Sequence, residues 1–231
     1  METKRNLKYF TTKGLSPLSI VGLVLIVAGI IIAAGIIRDM GVMLVLIGIG
    51  CLVFSASATA KETDIDYQVS EKIKDLEEQA MIKYEVYEKD FLTIVNPAKL
   101  FGYDYISEGV HFKHGGDGKN RTSVYNGIQI FYTEEKLYIH GRRFSLINDL
   151  DDTEFGGSFS YLDLDHAEYE SREMPLPKDR KVTYQVFKIV DNNGKAVCEV
   201  SVSYGADVDK TIEEINHVIK LKKRNAGVLK A

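Results

Sequence analysis

Apolar and polar positions divide this chain of 231 residues sharply. Residues 17–37 and 40–58 form two apolar runs separated only by Arg38 and Asp39. About 20 apolar residues, each rising about 1.5 Å along a helix, cross a hydrocarbon layer of about 30 Å. Neither run has a polar face, so each helix requires lipid or a neighbouring span on all sides. Residues 16–60 therefore predict a two-span transmembrane hairpin, with Ser16 placed to cap the first helix and Pro17 suited to its first turn.

From Lys61 onward the pattern changes. Ile65, Val69, Ile73, Leu76, Ala80, Tyr84 and Tyr87 recur at spacings of three and four, which predicts an amphipathic helix over 64–89. Its stripe fits a short dimeric seam or docking on the next domain; Lys83 interrupts the seam, which favours docking. Asn96-Pro97 and Gly102 make 91–105 read as a connection, so 61–105 is helix plus connector and 106–231 the main domain. There the period becomes two, and seven strands are predicted at 110–113, 124–132, 136–140, 143–147, 158–169, 180–190 and 195–204. Asp191-Asn192-Asn193-Gly194 supplies a tight hairpin, after which Ala196, Cys198, Val200, Val202 and Tyr204 alternate inward. A last helix over 207–224 carries Val208, Ile212, Ile215, Ile219 and Lys222 on one face and a basic carboxyl end.

Charge gives the expected topology. The net charge is −4, and only five basic and two acidic residues precede Lys61, which leaves −7 for the remainder. Such a domain is repelled by nucleic acid and by an anionic leaflet, so no nucleic-acid partner is expected. Lys4, Arg5, Lys8 and Lys13 stand before the first span against Glu2 alone, which predicts a cytoplasmic amino terminus (1–15). Two crossings then return the chain, giving a multi-pass plasma-membrane protein with both termini cytoplasmic. Cys51 lies in a span and Cys198 has no second cysteine beside it in the polar part, which fits a reducing compartment. Ala58-Thr59-Ala60 imitates a signal-peptide cleavage site but follows a second apolar run, so the segment is read as an anchor. Gly22, Gly29 and Ala33 in the first run, and Gly41, Gly48 and Ser55 in the second, form stripes suited to close helix packing. Their partner is the other half of the hairpin, a second copy or another protein. Neither run carries an ionisable residue, which argues against an ion or proton route.

Strands followed by one closing helix resemble the pleckstrin-homology-like superfold, especially its bacterial membrane-attached versions. The likeness spans about 106–224 and includes Glu135-Lys136-Leu137-Tyr138-Ile139 leading into Arg143-Phe144-Ser145-Leu146, then Ser160-Tyr161-Leu162-Asp163-Leu164. It implies an α+β chain whose mainly antiparallel β domain is closed by a C-terminal helix, although no Trp occupies that helix as it usually does in eukaryotic members. Lys113, Lys119 and Arg121 look like the spaced basic residues with which such domains clamp inositol phosphates. Gly115-Gly116-Asp117-Gly118 is also a flexible turn in its own right, and Asp117 opposes an anion.

Other chemistry is sparse. His111 and His114 make an incomplete metal shell, and the acidic stretch 148–154 lacks the ligand spacing of a Ca²⁺ loop. His140 and His166 have no nucleophile elbow to serve, and Asp163 with Asp165 reads as a solvated strand face. No catalytic residue, metal or cofactor is expected. The sequence points to a membrane-anchored scaffold or regulatory subunit whose cytoplasmic domain binds a protein. The alternatives are a lipid-headgroup or phosphate sensor using the basic loop, and a homo-oligomeric structural membrane protein.

Overall fold

Close packing of small residues shapes the amino-terminal part of the chain. In the computed structural model, residues 2–12, 14–35, 37–148, 151–176, 180–203 and 206–228 are described; Lys13, Ile36, Asp149, Leu150 and Tyr204 of the expected segments lie outside them. The chain divides into two units, residues 1–66 and 67–231. The first opens with helix α1 (Glu2–Thr11), whose Arg5 pairs with Asp64 at 3.2 Å and accepts at its carbonyl from the Ala60 amide. Helix α2 (Pro17–Ala33) starts at Ser16, whose hydroxyl accepts from the Ser19 amide at 3.1 Å. It ends before the expected Ile37: the Ala34 amide makes a last helical bond to the Ile30 carbonyl, and the Gly35 amide tightens into a turn on the Ile32 carbonyl. Helix α3 (Arg38–Ser57) follows directly.

By length and composition α3, at 20 residues, is apolar and long enough to cross a membrane. The 17 residues of α2 are more apolar still but reach only about 25 Å.

The expected helix over 64–89 is two helices, α4 (Glu62–Lys74) and α5 (Leu76–Tyr84). Asp75 breaks the run, and Glu85 stops it in the left-handed region at φ 53°. Within the second unit, α5 lies on a sheet through Leu76 and Ala80, both buried, and Leu76 occupies the space that Gly127 leaves without a side chain.

The remainder is mixed helix and antiparallel sheet, with more strands than expected. A four-stranded sheet has the order β1 (Ala98–Tyr103), β4 (Val124–Tyr132), β5 (Lys136–Ser145), β6 (Thr153–Ser160). A two-stranded hairpin, β2 (Phe112–His114) with β3 (Asn120–Thr122), is inserted between β1 and β4. A three-stranded sheet joins β7 (Leu164–Leu176), β8 (Arg180–Asp191) and β9 (Ala196–Val202), and helix α6 (Ala206–Asn225) ends the fold.

Three boundaries differ from expectation. The first strand lies inside the expected connector, where β1 buries Leu100 and presses Gly102 against the backbone of Val202 and Ser203. The strands expected at 136–140 and 143–147 are one, since Gly141 does not turn but makes room for the Phe155 ring. The strand expected over 158–169 is broken by a turn at 161–163, anchored where the Tyr161 hydroxyl donates to the Thr133 carbonyl.

The Asp191 turn has its predicted form. Gly194 adopts φ 79°, and the Asp191 carboxylate accepts from the amides of Asn193 and Lys195. Ile128, Ile130, Leu137 and Ile139 from the first sheet meet Phe187, Ile189, Cys198 and Val200 from the second, with Ile215, Val218 and Ile219 of α6 completing one core.

Candidate functional site

The basic hairpin is built around its own anion. Lys113 and Arg121 face each other across the β2–β3 ladder, but the Arg121 side chain is fully buried. Its two Nη atoms donate to the two carboxylate oxygens of Asp117 at 2.9 and 2.6 Å, the paired geometry that guanidinium and carboxylate prefer. The Lys119 amide donates to the same carboxylate. These donors, Arg121 foremost, hold the Asp117 carboxyl well below the usual carboxylate range. Arg121 therefore braces the turn that Gly118 makes at φ 79°, while the Lys119 side chain is exposed.

Beside the hairpin is a cleft of about 350 Å³ reached by Tyr103, Tyr105, Lys119, Tyr184 and Gln185. Tyr105 stacks on Tyr184 with centroids 5.1 Å apart and donates from its hydroxyl to the Asn120 carbonyl; burial pushes that hydroxyl up to about 12. Just before it, buried Asp104 forms an ion pair with Arg143 at 2.9 Å and accepts from the Ile106 and Ser107 amides. The insertion is thus fixed to β5.

The small residues of the two apolar helices are brought together. A side-chain carbon on Gly22 would lie 2.8 Å from the Gly48 carbonyl oxygen, and one on Gly29 would lie 2.7 Å from that of Gly41. Gly41 in turn abuts the backbone of Ala33. At the open end, the Ser55 hydroxyl bonds Ser16 and lies 2.8 Å from that of Ser19. The outward positions are large and apolar, with Ile31 67% and Phe54 68% exposed.

A third feature, not anticipated from sequence, is the edge of β7. The Asn216 side chain on α6 accepts from the Ala167 amide at 2.7 Å and donates to the Ala167 carbonyl at 2.9 Å, as a neighbouring strand would. The available signal was a polar residue inside the buried stripe of α6, between Ile215 and Ile219. Because outward backbone groups alternate, the amides of Tyr169, Ser171 and Glu173 face the same way as Ala167. Pro175, which has no amide hydrogen, takes the next outward position. Among the described residues no strand pairs with this edge.

No known family model matches the chain, and no curated protein or solved structure was found to be similar to it.

Proposed function

We propose that the chain is a non-catalytic, membrane-anchored scaffold or regulatory subunit whose pleckstrin-homology-like β domain binds a protein partner on the cytoplasmic side of the plasma membrane. The observation that carries the anchor is the inverted polarity of α2 and α3: glycine and serine face inward, while Val24, Ile31, Val53 and Phe54 face outward. In water that surface would be a large exposed apolar patch, which monomeric soluble proteins rarely tolerate. In lipid it is the expected surface, and helix contact through small residues is the expected packing. The shorter α2 is accommodated by local thinning of the bilayer, with Arg38 five residues beyond its end available to reach the headgroups.

A four-stranded sheet with a two-stranded hairpin inserted after its first strand, then a three-stranded sheet and a helix, is the arrangement on which the pleckstrin-homology-like reading rests. Protein binding by strand addition at β7 fits this domain better than headgroup binding by the basic hairpin, because Asp117 already occupies Arg121.

A photo-crosslinking residue at Tyr169 of the full chain in its native membrane tests the proposal. The expected result is a discrete adduct with another protein that disappears when Ser171→Pro removes an outward amide. An adduct with a second copy of the chain, or none, overturns it.

A further inference from the structure

Beneath α5 the outer face of the four-stranded sheet holds polar groups that the fold does not use. His140 is 1% exposed, yet neither ring nitrogen has a hydrogen-bond partner among the described residues. Directly across the β4–β5 ladder, Gln129 is equally buried and its Oε1 is also unpartnered. Leaving such groups dry costs about 1–3 kcal/mol each. His140 lies at a cleft of about 350 Å³ bounded by Gln79, Ile82, Lys83, Arg142 and Glu154. That is within the size range of small-ligand sites.

The charges nearby select the ligand. Lys83 is matched by Glu154 at 2.8 Å. Asp152, however, serves both Arg142 at 3.2 Å and Lys72 at 3.3 Å, and it also accepts the Ser145 amide. Arg142 thus shares Asp152 with a second cation, and its guanidinium, with five N–H donors, uses one atom in a described contact. Among the described residues lining the cleft, a metal cation would meet Lys83 and Arg142 with Glu154 alone to oppose them. A small anion would find a guanidinium with donors to spare beside an imidazole able to donate.

We infer that this cleft binds a small oxyanion, the carboxylate or phosphate group of a metabolite-sized ligand, between Arg142 and His140. The groups facing His140 are Lys83 and Tyr84 from α5, Arg142 on its own strand and Glu154 from β6. Burial first, and then Lys83 and Arg142, disfavour the charged form of the imidazole. A bound anion favours the imidazolium, so binding takes up a proton and strengthens as pH falls from 7.5 toward 6. Because Lys83, Tyr84 and Gln79 all belong to α5, occupancy would also fasten that helix to the sheet.

The test uses the full chain in lipid nanodiscs with isotope-labelled histidine. Sodium phosphate and sodium acetate are titrated separately against sodium chloride of matched ionic strength, and the ring signals of His140 are followed by NMR. The expected result is a saturable shift of His140, with His166 as an internal reference, from phosphate, acetate or both; the responding arm identifies the anion. Arg142→Gln weakens it about 10- to 150-fold, the range for losing one charge-assisted hydrogen bond. Lys83→Gln, on a half-exposed side chain, supplies a second variant and weakens it less. Shifts that track sodium chloride, or saturation unchanged in both variants, overturn the inference.

Discussion

Replacing Gly48 by Ala adds one methyl group at the centre of the α2–α3 seam. That carbon would lie 2.6 Å from the Gly22 carbonyl oxygen, 2.7 Å from Ile26 Cγ1 and 3.0 Å from the Ile26 amide nitrogen. Two of these are backbone atoms, so no rotamer change relieves the overlap and the helices must separate. Overpacking of this kind costs about 1–3 kcal/mol. Gly50, two residues along the same helix, has nothing within 4 Å of such a carbon. Gly50→Ala should therefore change pairing by no more than about 0.5 kcal/mol. Pairing is measurable in a Ser19→Cys, Ser55→Cys, Cys51→Ala chain, because the two serine hydroxyls lie 2.8 Å apart. The disulfide-to-dithiol ratio in a glutathione buffer reports the effective concentration of one thiol at the other. Cys198 does not interfere: it is buried, and burial pushes its thiol up to about 12. Gly48→Ala should lower the effective concentration about 5- to 150-fold, and Gly50→Ala about 2-fold at most. Equal effects of the two substitutions would refute the seam.

Two histidines should give the stability of the chain a maximum near neutrality in buffers without phosphate or carboxylate. His140 is lowered by burial, so its contribution is present above the unfolded value of about 6.5 and is lost as pH falls toward the folded one. His166 is raised by its hydrogen bonds to Asp165 and Glu168, so its contribution is present below about 6.5 and is lost as pH rises through its folded value. Denaturant unfolding from pH 5 to 8 should show His140→Leu flattening the acid limb and His166→Gln the basic limb; unchanged limbs would refute the assignments. Asn216→Leu removes both hydrogen bonds to Ala167 and should cost about 1–3 kcal/mol, seen as a lower denaturant midpoint with an unchanged slope. A loss below about 0.5 kcal/mol would show that water replaces the amide without penalty.

The legible parts of this fold are those governed by local rules. Ser16, Pro17 and the glycine stripes mark α2 and α3, and the Asp191–Gly194 turn follows from side-chain acceptance and a positive φ at Gly194. Continuity was misjudged where a glycine served packing instead of turning. Gly102 in β1 and Gly141 in β5 carry no side chain because Val202 and Phe155 take the space, a long-range cause that a local reading cannot contain. The same limit applied to the basic loop. Lys113, Lys119 and Arg121 have phosphate-binding spacing, but only the folded hairpin brings Asp117 onto Arg121. Asn216 and His140 were visible as residues yet not as sites. Their meaning depends on which backbone edge or unfilled cleft they meet.

The glycine seam also bears on where a partner can attach. Small-residue stripes permit close approach by a second copy, another membrane protein or the other half of the same hairpin, and these uses compete for one surface. Here Gly22 faces Gly48, Gly29 faces Gly41 and Ser55 closes on Ser16, so the stripes are consumed within the chain. What remains outward on α2 and α3 is bulky and apolar, the surface that the proposed anchor would present to lipid. On the proposed function, recognition then falls to the β domain. There the edge of β7 continues past the Asn216 cap, and the cleft under α5 leaves a buried imidazole without a partner. The first offers a backbone ladder to a protein and the second a pair of donors to a small anion. The α5 contacts under Tyr84, whose hydroxyl donates to the Ile139 carbonyl at 2.9 Å, would tie the second to the packing of that helix. Under the proposed function, an anchor whose small residues pack on one another holds the domain at the membrane and leaves both surfaces open.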